Sequence, residues 1–340
     1  MGVGIGDIVP KEEKEIKSFK GRKISIDAYN TLYQFLSIIR QRNGKPLKDS
    51  QGRITSHLSG LLYRTGKLIE KDIKPVYVFD GEPPKPKEKE INEREKKREE
   101  ARKKYEEALK KGKKKEARKH AQGSVKLKKE MVDSAKKLLE AMNIPIVQAP
   151  GEGEAQASYI CKKGDVWASS SQDYDSLIYG TPILVRNLTI TGKRKIPNKD
   201  KYKEIKPEQI KLKETLQELG IDQEKLIEIA IMTGTDYNKG IKGIGPKKAL
   251  KKVKKGKKAE QAYEEKNQEP EIDLDKIRKI FKEPKITDKY KLEWGEPNKK
   301  EIEELLVEKH DFSKERVEKV VEKINKKMKE ETQQTHLEKF

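Results

Sequence analysis

The sequence predicts an α/β protein with a mostly parallel central sheet flanked by helices, and three observations carry that expectation. Short β-branched runs end in carboxylates, helical patterns follow them, and the alternation repeats through the first two thirds of the chain. Hydrophobic residues make up only 33% of the 340 and charged residues 40%, a balance that leans toward disorder. The apolar residues are nevertheless gathered in blocks, so a folded protein with highly charged surfaces is expected.

The first strand runs from Lys23 to Asp27, and the helix after it from Asn30 to Arg40 carries Leu32, Phe35, Leu36 and Ile39 on one stripe. A helix from Thr55 to Lys71 leads to a strand from Pro75 to Phe79 that closes on Asp80. Then come a helix from Met131 to Met142, a strand from Ile144 to Gln148, and a helix opened by Glu152. Val166 to Ser169 reads as a strand leading into Asp173-Tyr-Asp175, and Pro182 to Leu188 as another, before helices beginning near Pro207 and Asp222. From Ile272 to Lys329 a helical period around Ile277, Ile280, Phe281, Ile302, Leu305, Leu306, Val317 and Val321 reads as structural support.

Two segments break this rhythm. From Lys85 to Lys119 almost every residue is charged, with Ile91, Ala101, Tyr105, Ala108 and Leu109 the few interruptions, so the segment cannot build a core. It leaves directly from strand-terminal Asp80, which would hang a basic insertion over the carboxyl edge of the sheet, where open α/β folds place their sites. Farther on, Gly240, Gly243 and Gly245 are closely spaced before Lys247, Lys248, Lys251 and Lys252. Such a turn between two helices offers backbone N–H groups and lysines to a phosphate.

Charge narrows the partner. Lys and Arg number 79 against 58 Asp and Glu, a net charge of +21, which points to a polyanion. No run approaches a membrane span, and Met1 to Pro10 lacks a signal-peptide core, so a soluble intracellular protein is expected. Cys161 is the only cysteine, which excludes an internal disulfide. His57, His120, His310 and His336 are too scattered to suggest zinc, so any metal must be held by oxygen.

Seven acids stand out by context: Asp27, Asp80, Glu152, Glu154, Asp173, Asp175 and Asp236. A single strand-terminal Asp is more often a helix N-cap than a catalyst. If the sheet is parallel, though, most of these converge on one edge, where crowded carboxylates repel and divalent cations relieve the cost. Mg2+ is the hard ion that suits such a cage. Two ions about 4 Å apart can activate a water and steady the leaving oxygen of a phosphodiester.

At these residues the sequence resembles the flap endonucleases of the structure-specific 5′ nuclease family, most closely the archaeal ones. The likeness runs nearly end to end through Met1-Gly-Val, Ile26-Asp27-Ala, Tyr33-Gln-Phe-Leu36, Thr55-Ser-His-Leu58 and Val78-Phe-Asp80-Gly. It continues through Glu152-Gly-Glu154-Ala-Gln156, Ser171-Gln-Asp173-Tyr-Asp175, Gly234-Thr-Asp236-Tyr and Gly240-Ile-Lys-Gly-Ile-Gly245. The resemblance implies that the same seven acids bind two Mg2+ ions, with Mn2+ able to substitute. It implies that the charged insertion is a helical arch for a single-stranded 5′ flap, with Lys87 and Arg94 contacting the scissile phosphate. Tyr33 would stack on a base near the cut, with Arg40 counted among the DNA contacts. Gly2 would lie near the metals. Gly240, Gly243, Gly245, Lys247 and Lys248 would form a helix-hairpin-helix that grips duplex DNA with a K+ ion. Gln334, Leu337 and Phe340 resemble a box that docks the sliding clamp (PCNA), here with one aromatic in place of a pair. Gly151 stands where the family commonly has Ser before the first glutamate, and a glycine caps a helix slightly less well.

The expected organisation is one nuclease domain over residues 1–330 and a clamp-binding tail over 331–340. Within the domain, 1–80 and 131–236 form the nuclease parts, 81–130 the arch, 237–256 the helix-hairpin-helix and 257–330 helical support. The expected function is Mg2+-dependent cleavage at the base of a 5′ flap, with 5′-3′ exonuclease activity, in Okazaki-fragment maturation and repair. A cytoplasmic, nucleoid-associated archaeal monomer with no membrane partner completes the expectation. The competing reading is a non-catalytic scaffold joining branched DNA to the clamp.

Overall fold

The computed structural model describes residues 2–41, 45–112, 126–190, 192–195 and 202–337. Its strands are β1 (Glu12–Glu13), β2 (Lys23–Asp27), β3 (Lys74–Phe79), β4 (Ile146–Gln148), β5 (Ala168–Ser170), β6 (Ile183–Arg186), β7 (Gly192–Lys195), β8 (Tyr202–Ile205) and β9 (Glu208–Lys211). The main sheet has the order β1-β9-β6-β5-β2-β3-β4, while β7 and β8 form a separate antiparallel ribbon. Strands β2 to β6 pair in parallel; β9 runs antiparallel to both β6 and β1. The expected mostly parallel sheet is therefore what forms.

Strand β2 lies between β3 and β5, so the chain builds one wing through β3 and β4, then crosses back to build the other through β5 and β6. That reversal opens a crevice at the carboxyl ends of β2 and β5, the switch point of an open α/β sheet. Burial on both faces explains the continuous apolar runs of the central strands. On β3, Tyr77 and Phe79 join a core with helices α1 (Ala28–Ile38) and α2 (Ser56–Glu70), while Val76 and Val78 pack on the opposite face.

Between β3 and β4 come α3 (Glu88–Lys110) and α4 (Lys129–Ala141), and α5 (Gly153–Lys163) follows β4. Val76, Val78 and Val147 meet Ala157, Ile160 and Cys161 of α5. Beyond β5 and β9 lie α6 (Asp175–Ile178), α7 (Leu212–Leu219), α8 (Gln223–Thr233), α9 (Pro246–Lys254), α10 (Ala259–Glu264) and α11 (Leu274–Lys282). Ile229, Ile231, Ile244, Val253 and Phe281 make these helices a second core. The chain closes with α12 (Lys299–Glu303) and α13 (Lys314–Leu337).

Several expected boundaries move for physical reasons. The first helix begins two residues earlier, because Asp27 caps it by accepting from Asn30 N at 2.9 Å, and it ends at Ile38, with Ile39 already extended. Arg40 thus leaves the helix and sits in an isolated bridge with Pro46. The helix expected near Pro207 begins instead at Leu212; Glu208 to Lys211 form a strand, since Gln209 and Ile210 are buried between β6 and β1. The strand expected from Val166 spans only Ala168–Ser170. The helical stretch beyond Ile272 is interrupted between α11 and α12, where Trp294 donates its indole N–H to Pro75 O at 2.8 Å. In the charged insertion α3 is one long helix, while residues 113–125, including His120, lie outside the described residues.

Candidate active site

The switch-point crevice is a cleft of about 690 Å3, and all seven expected acids line it. Asp27 ends β2, Asp80 follows β3, Glu152 and Glu154 sit at the head of α5, Asp173 and Asp175 follow β5, and Asp236 follows α8. Tyr33, Lys87, Arg94 and Arg98 share the lining, so the acidic floor and the basic insertion face one space.

Each acid is aimed by local structure. Asp80 Oδ1 accepts from Gly153 N at 2.6 Å, supplying from a neighbouring strand the partner that the helix start needs. Glu152 rather than Gly151 is the N-cap of α5, so the glycine at 151 leaves that helix start intact. Asp173 accepts from Gly2 N at 3.1 Å and from Asn30 Nδ2 at 3.0 Å, and Asp175 accepts from Val3 N at 2.6 Å. Gly2 is accordingly beside the acids: a Cβ there would fall 2.6 Å from both Asp173 Cβ and Asp175 Oδ1. Ser176 Oγ donates to Glu154 Oε1 at 3.2 Å.

Burial and neighbouring carboxylates raise Asp27, Asp80, Glu152, Glu154 and Asp175. Burial, then Asp80, holds Asp27 well above the usual carboxylate range, and burial followed by Asp175 and Asp27 does the same for Glu154. Asp175 is pushed up to about 7 by burial, with Asp236 and Asp173 adding to it. Glu152 is raised by burial and eased by Lys87. The Lys87 ammonium meets Glu152, and Asp236 Oδ2 at 3.2 Å; Arg94 Nη2 meets Asp236 Oδ1 at 2.6 Å. Although burial opposes it, the pull of Glu152 and Asp236 drives the Lys87 pKa upward. Among the described residues no three acids are closed into a ready-made cage around one point; the two cations lie against Glu152 and Asp236 instead. The donor set is nonetheless wholly oxygen and deep, and two cations against seven acids relieve it only in part, which fits a hard divalent cation.

Tyr33 faces the cleft half-buried, and the Arg98 guanidinium lies 4.7 Å from its ring centroid. Arg40 is not part of the cleft lining; its Nε donates to Ser37 O at 3.0 Å. The glycine turn joins α8 to α9. Gly240 (φ +71°) lies so close to the end of α8 that a Cβ would fall 2.5 Å from Gly234 N. Gly243 (φ +85°) also needs the left-handed conformation, and Gly245 caps α9. Lys247 is exposed, whereas Lys248 Nζ donates to Gly243 O at 2.9 Å and so braces the turn itself. Gln334 and Leu337 continue α13 past residue 330, and Phe340 lies outside the described residues.

Asn30 and Arg98 were not singled out from sequence. Asn30, three places after Asp27, carried a helix-capping signal that hid its second role at Asp173. Arg98 was indistinguishable within a run of like residues.

Comparisons with known proteins agree with this geometry. Residues 1–101 match the XPG N-terminal domain and residues 143–236 the XPG I-region, so the chain is an XPG-type protein; the seven acids, Lys87 and Arg94 all fall within those spans. Flap endonuclease 1 of Pyrococcus abyssi is 57% identical over 336 residues, covering 98% of this chain and 97% of its own. That of Pyrococcus furiosus is 55% identical, with 98% of each chain covered. The solved flap endonuclease-1 from Methanococcus jannaschii aligns with a TM-score of 0.78 at 46% identity, over 97% of this chain and 100% of its own. The chain belongs to the flap endonuclease 1 family. The catalytic core of Rad2 in complex with DNA substrate, 21% identical with a TM-score of 0.69, shares the fold.

Proposed function

We propose that this chain is a structure-specific endonuclease that hydrolyses a DNA phosphodiester near the base of a 5′ flap, leaving a 5′-phosphate and a nick with a 3′-hydroxyl. The observation that carries the reading is the gathering of seven acids in one cleft that Lys87, Arg94 and Arg98 also line, in a chain whose relatives are flap endonucleases. Okazaki-fragment maturation and repair are the processes such a cut serves, and 5′-3′ exonuclease activity is the same chemistry on a shorter end. No described helix is long and apolar enough to cross a membrane.

Two divalent ions, Mg2+ with Mn2+ able to substitute, would be held by Asp27, Asp80, Glu152, Glu154, Asp173, Asp175 and Asp236. When bound they supply an activated water and neutralise the leaving oxygen. The remaining work falls to the chain's own residues. Lys87 and Arg94 stand over the acids and present fixed positive charge to the phosphate, where it stabilises the charge that develops. Tyr33, open to the cleft, offers its face to a base beside the cut. Gly240, Gly243, Gly245 and Lys247 offer backbone N–H groups and an ammonium to the duplex, with K+ as the companion ion, and Lys248 holds the turn in shape. Gln334, Leu337 and Phe340 would dock the clamp, and the protein would act as a monomer.

The scaffold alternative is disfavoured, since a binder would gain affinity by losing acids beside phosphates, and all seven are present. The deciding experiment is single-turnover cleavage of a labelled double-flap DNA, with and without Mg2+, by the intact chain and by Asp173→Ala. Mg2+-dependent incision beside the junction that disappears in the variant is expected. Tight binding without incision under any divalent metal would overturn the reading.

A further inference from the structure

Asp236 follows a helix rather than a strand, so the sheet does not aim it and its own loop must. Residues 234–240 leave α8 and return to it: Ile241 N donates to Met232 O at 2.9 Å, and Gly240 lies against Gly234. Within this loop Thr235 and Asn238 hold each other. Thr235 N donates to Asn238 O at 2.9 Å, and the Thr235 hydroxyl donates to Asn238 Oδ1 at 2.8 Å while its oxygen accepts from Tyr237 N at 3.0 Å. The other end of the Asn238 amide, Nδ2, donates to Ile231 O at 2.8 Å and to Tyr263 Oη at 3.3 Å. Ile231 belongs to the last turn of α8, where carbonyls have no partner within the helix. A carbonyl only accepts, so Nδ2 must point to it and Oδ1 to Thr235, which leaves each hydrogen in this group one place to go. Asn238 is buried, and Tyr263 belongs to the second core. None of these bonds involves a carboxylate of the cleft, and neither Thr235 nor Asn238 lines it.

We infer that Thr235 and Asn238 are positioning residues for Asp236: the bond between their side chains sets the backbone that aims the acid, and the Asn238 amide ties that backbone to the end of α8. The inference rests on the proposed nuclease reading. Tyr237, the next residue, is fixed from both sides, its N–H by Thr235 and its hydroxyl by Tyr179 at 2.9 Å, so the peptide after Asp236 has little freedom of its own. Without the Thr235 hydroxyl, Tyr237 N and Asn238 Oδ1 both lose their partner, and the loop must rearrange around the acid it carries. Such a shift reaches the chemistry through Asp236 alone, because a displacement of about 1 Å in a reacting site can cost a hundredfold in rate. Binding of the flap, which rests on the wider surface, is left nearly as it was.

The test measures three quantities on the full-length protein: single-turnover cleavage of a flap DNA at saturating protein and Mg2+, flap affinity by fluorescence anisotropy without divalent metal, and melting temperature. The variants are Thr235→Val, Thr235→Ser, Asn238→Leu and Arg278→Met. Thr235→Val keeps the side chain's shape and loses its hydroxyl; it should lower the cleavage rate by roughly thirtyfold and change affinity by less than about threefold. Asn238→Leu should lower the rate at least as far. Thr235→Ser restores the hydroxyl and should cleave within about threefold of the intact chain. Arg278→Met isolates stability, because it removes a cation that holds Glu228 on the same helix and leaves the loop's own bonds in place; its melting temperature should fall with the rate retained. Equal rates for Thr235→Val and Thr235→Ser overturn the inference, as does a rate that simply follows melting temperature across the four variants, or a loss confined to affinity. Circular dichroism checks folding, and should Asn238→Leu fail to fold, the Val and Ser pair decides alone. If the intact chain cuts and the Val variant cuts as fast, this inference alone fails; if the intact chain does not cut, the nuclease reading falls and the inference with it.

Discussion

Glu228 and Asp236 lie on either side of the end of α8, and each is 8% exposed, yet they are neutralised in opposite ways. Glu228 receives a fork from Arg278, Nε at 2.6 Å and Nη2 at 3.1 Å, and a backbone bond from Ala259 N at 2.8 Å. Arg278 rises from α11, whose Ile277 and Phe281 are fixed in the second core, and it also holds Glu260. Asp236 depends on Lys87 and Arg94, which come from an insertion almost without apolar residues. A buried acid with its cation anchored in a core is a structural joint. One whose cations come from an insertion with almost no apolar residues is not locked into a core in that way.

The comparison breaks hardest at Asp236. Asp236→Ala should cut single-turnover flap cleavage by roughly a thousandfold or more, with flap affinity and melting temperature nearly unchanged. Lys87→Ala and Arg94→Ala should each lower the single-turnover rate by roughly a hundredfold while affinity falls far less; a loss confined to affinity would remove them from the chemistry. Arg278→Met sharpens the contrast from the other side. It strands Glu228 in the core and should cost about 3 kcal/mol in thermal unfolding, with cleavage at 25 °C intact.

The smallest effect concerns a third buried acid, Asp49, which accepts from Arg53 Nε at 2.7 Å and His310 Nδ1 at 2.9 Å. Burial alone would raise its carboxyl, but His310 and Arg53 pull it down to about 2. Its folded pKa lies below the unfolded value of 3.8, so its stabilising contribution is complete above that value and is lost as pH falls from about 4 to 2. Asp49→Asn should flatten the decline of stability across that window, followed by urea midpoints. An unaltered acid limb would assign the decline to other groups.

The carboxyl-end acids were legible because short β-branched runs ending in Asp mark both a strand and a position, and a parallel sheet gathers such ends. The helix near Pro207 misled because Ile210 is the one strand former among Glu208 to Lys211; pairing with β6 and β1 sets the rest. The β7–β8 ribbon went unseen for a like reason, its residues Gly192 to Lys195 being mostly basic and without alternation. Arg40, counted among the DNA contacts on the resemblance, follows the end of its helix and does not line the cleft. Which cation touches which acid was not legible, because a run of lysines and arginines carries no register.

The order of the sheet also sets a schedule. The backbone of Gly2 and Val3 waits for Asp173 and Asp175, and β2 must pair with β5 before the first acid meets the others. Asp236 lies beyond all of these in the chain. A ribosome releases the residues in sequence, so a polypeptide still being made owns separate carboxylates and no cutting centre. The protein gains its full set of acids only after more than two thirds of its 340 residues have been made.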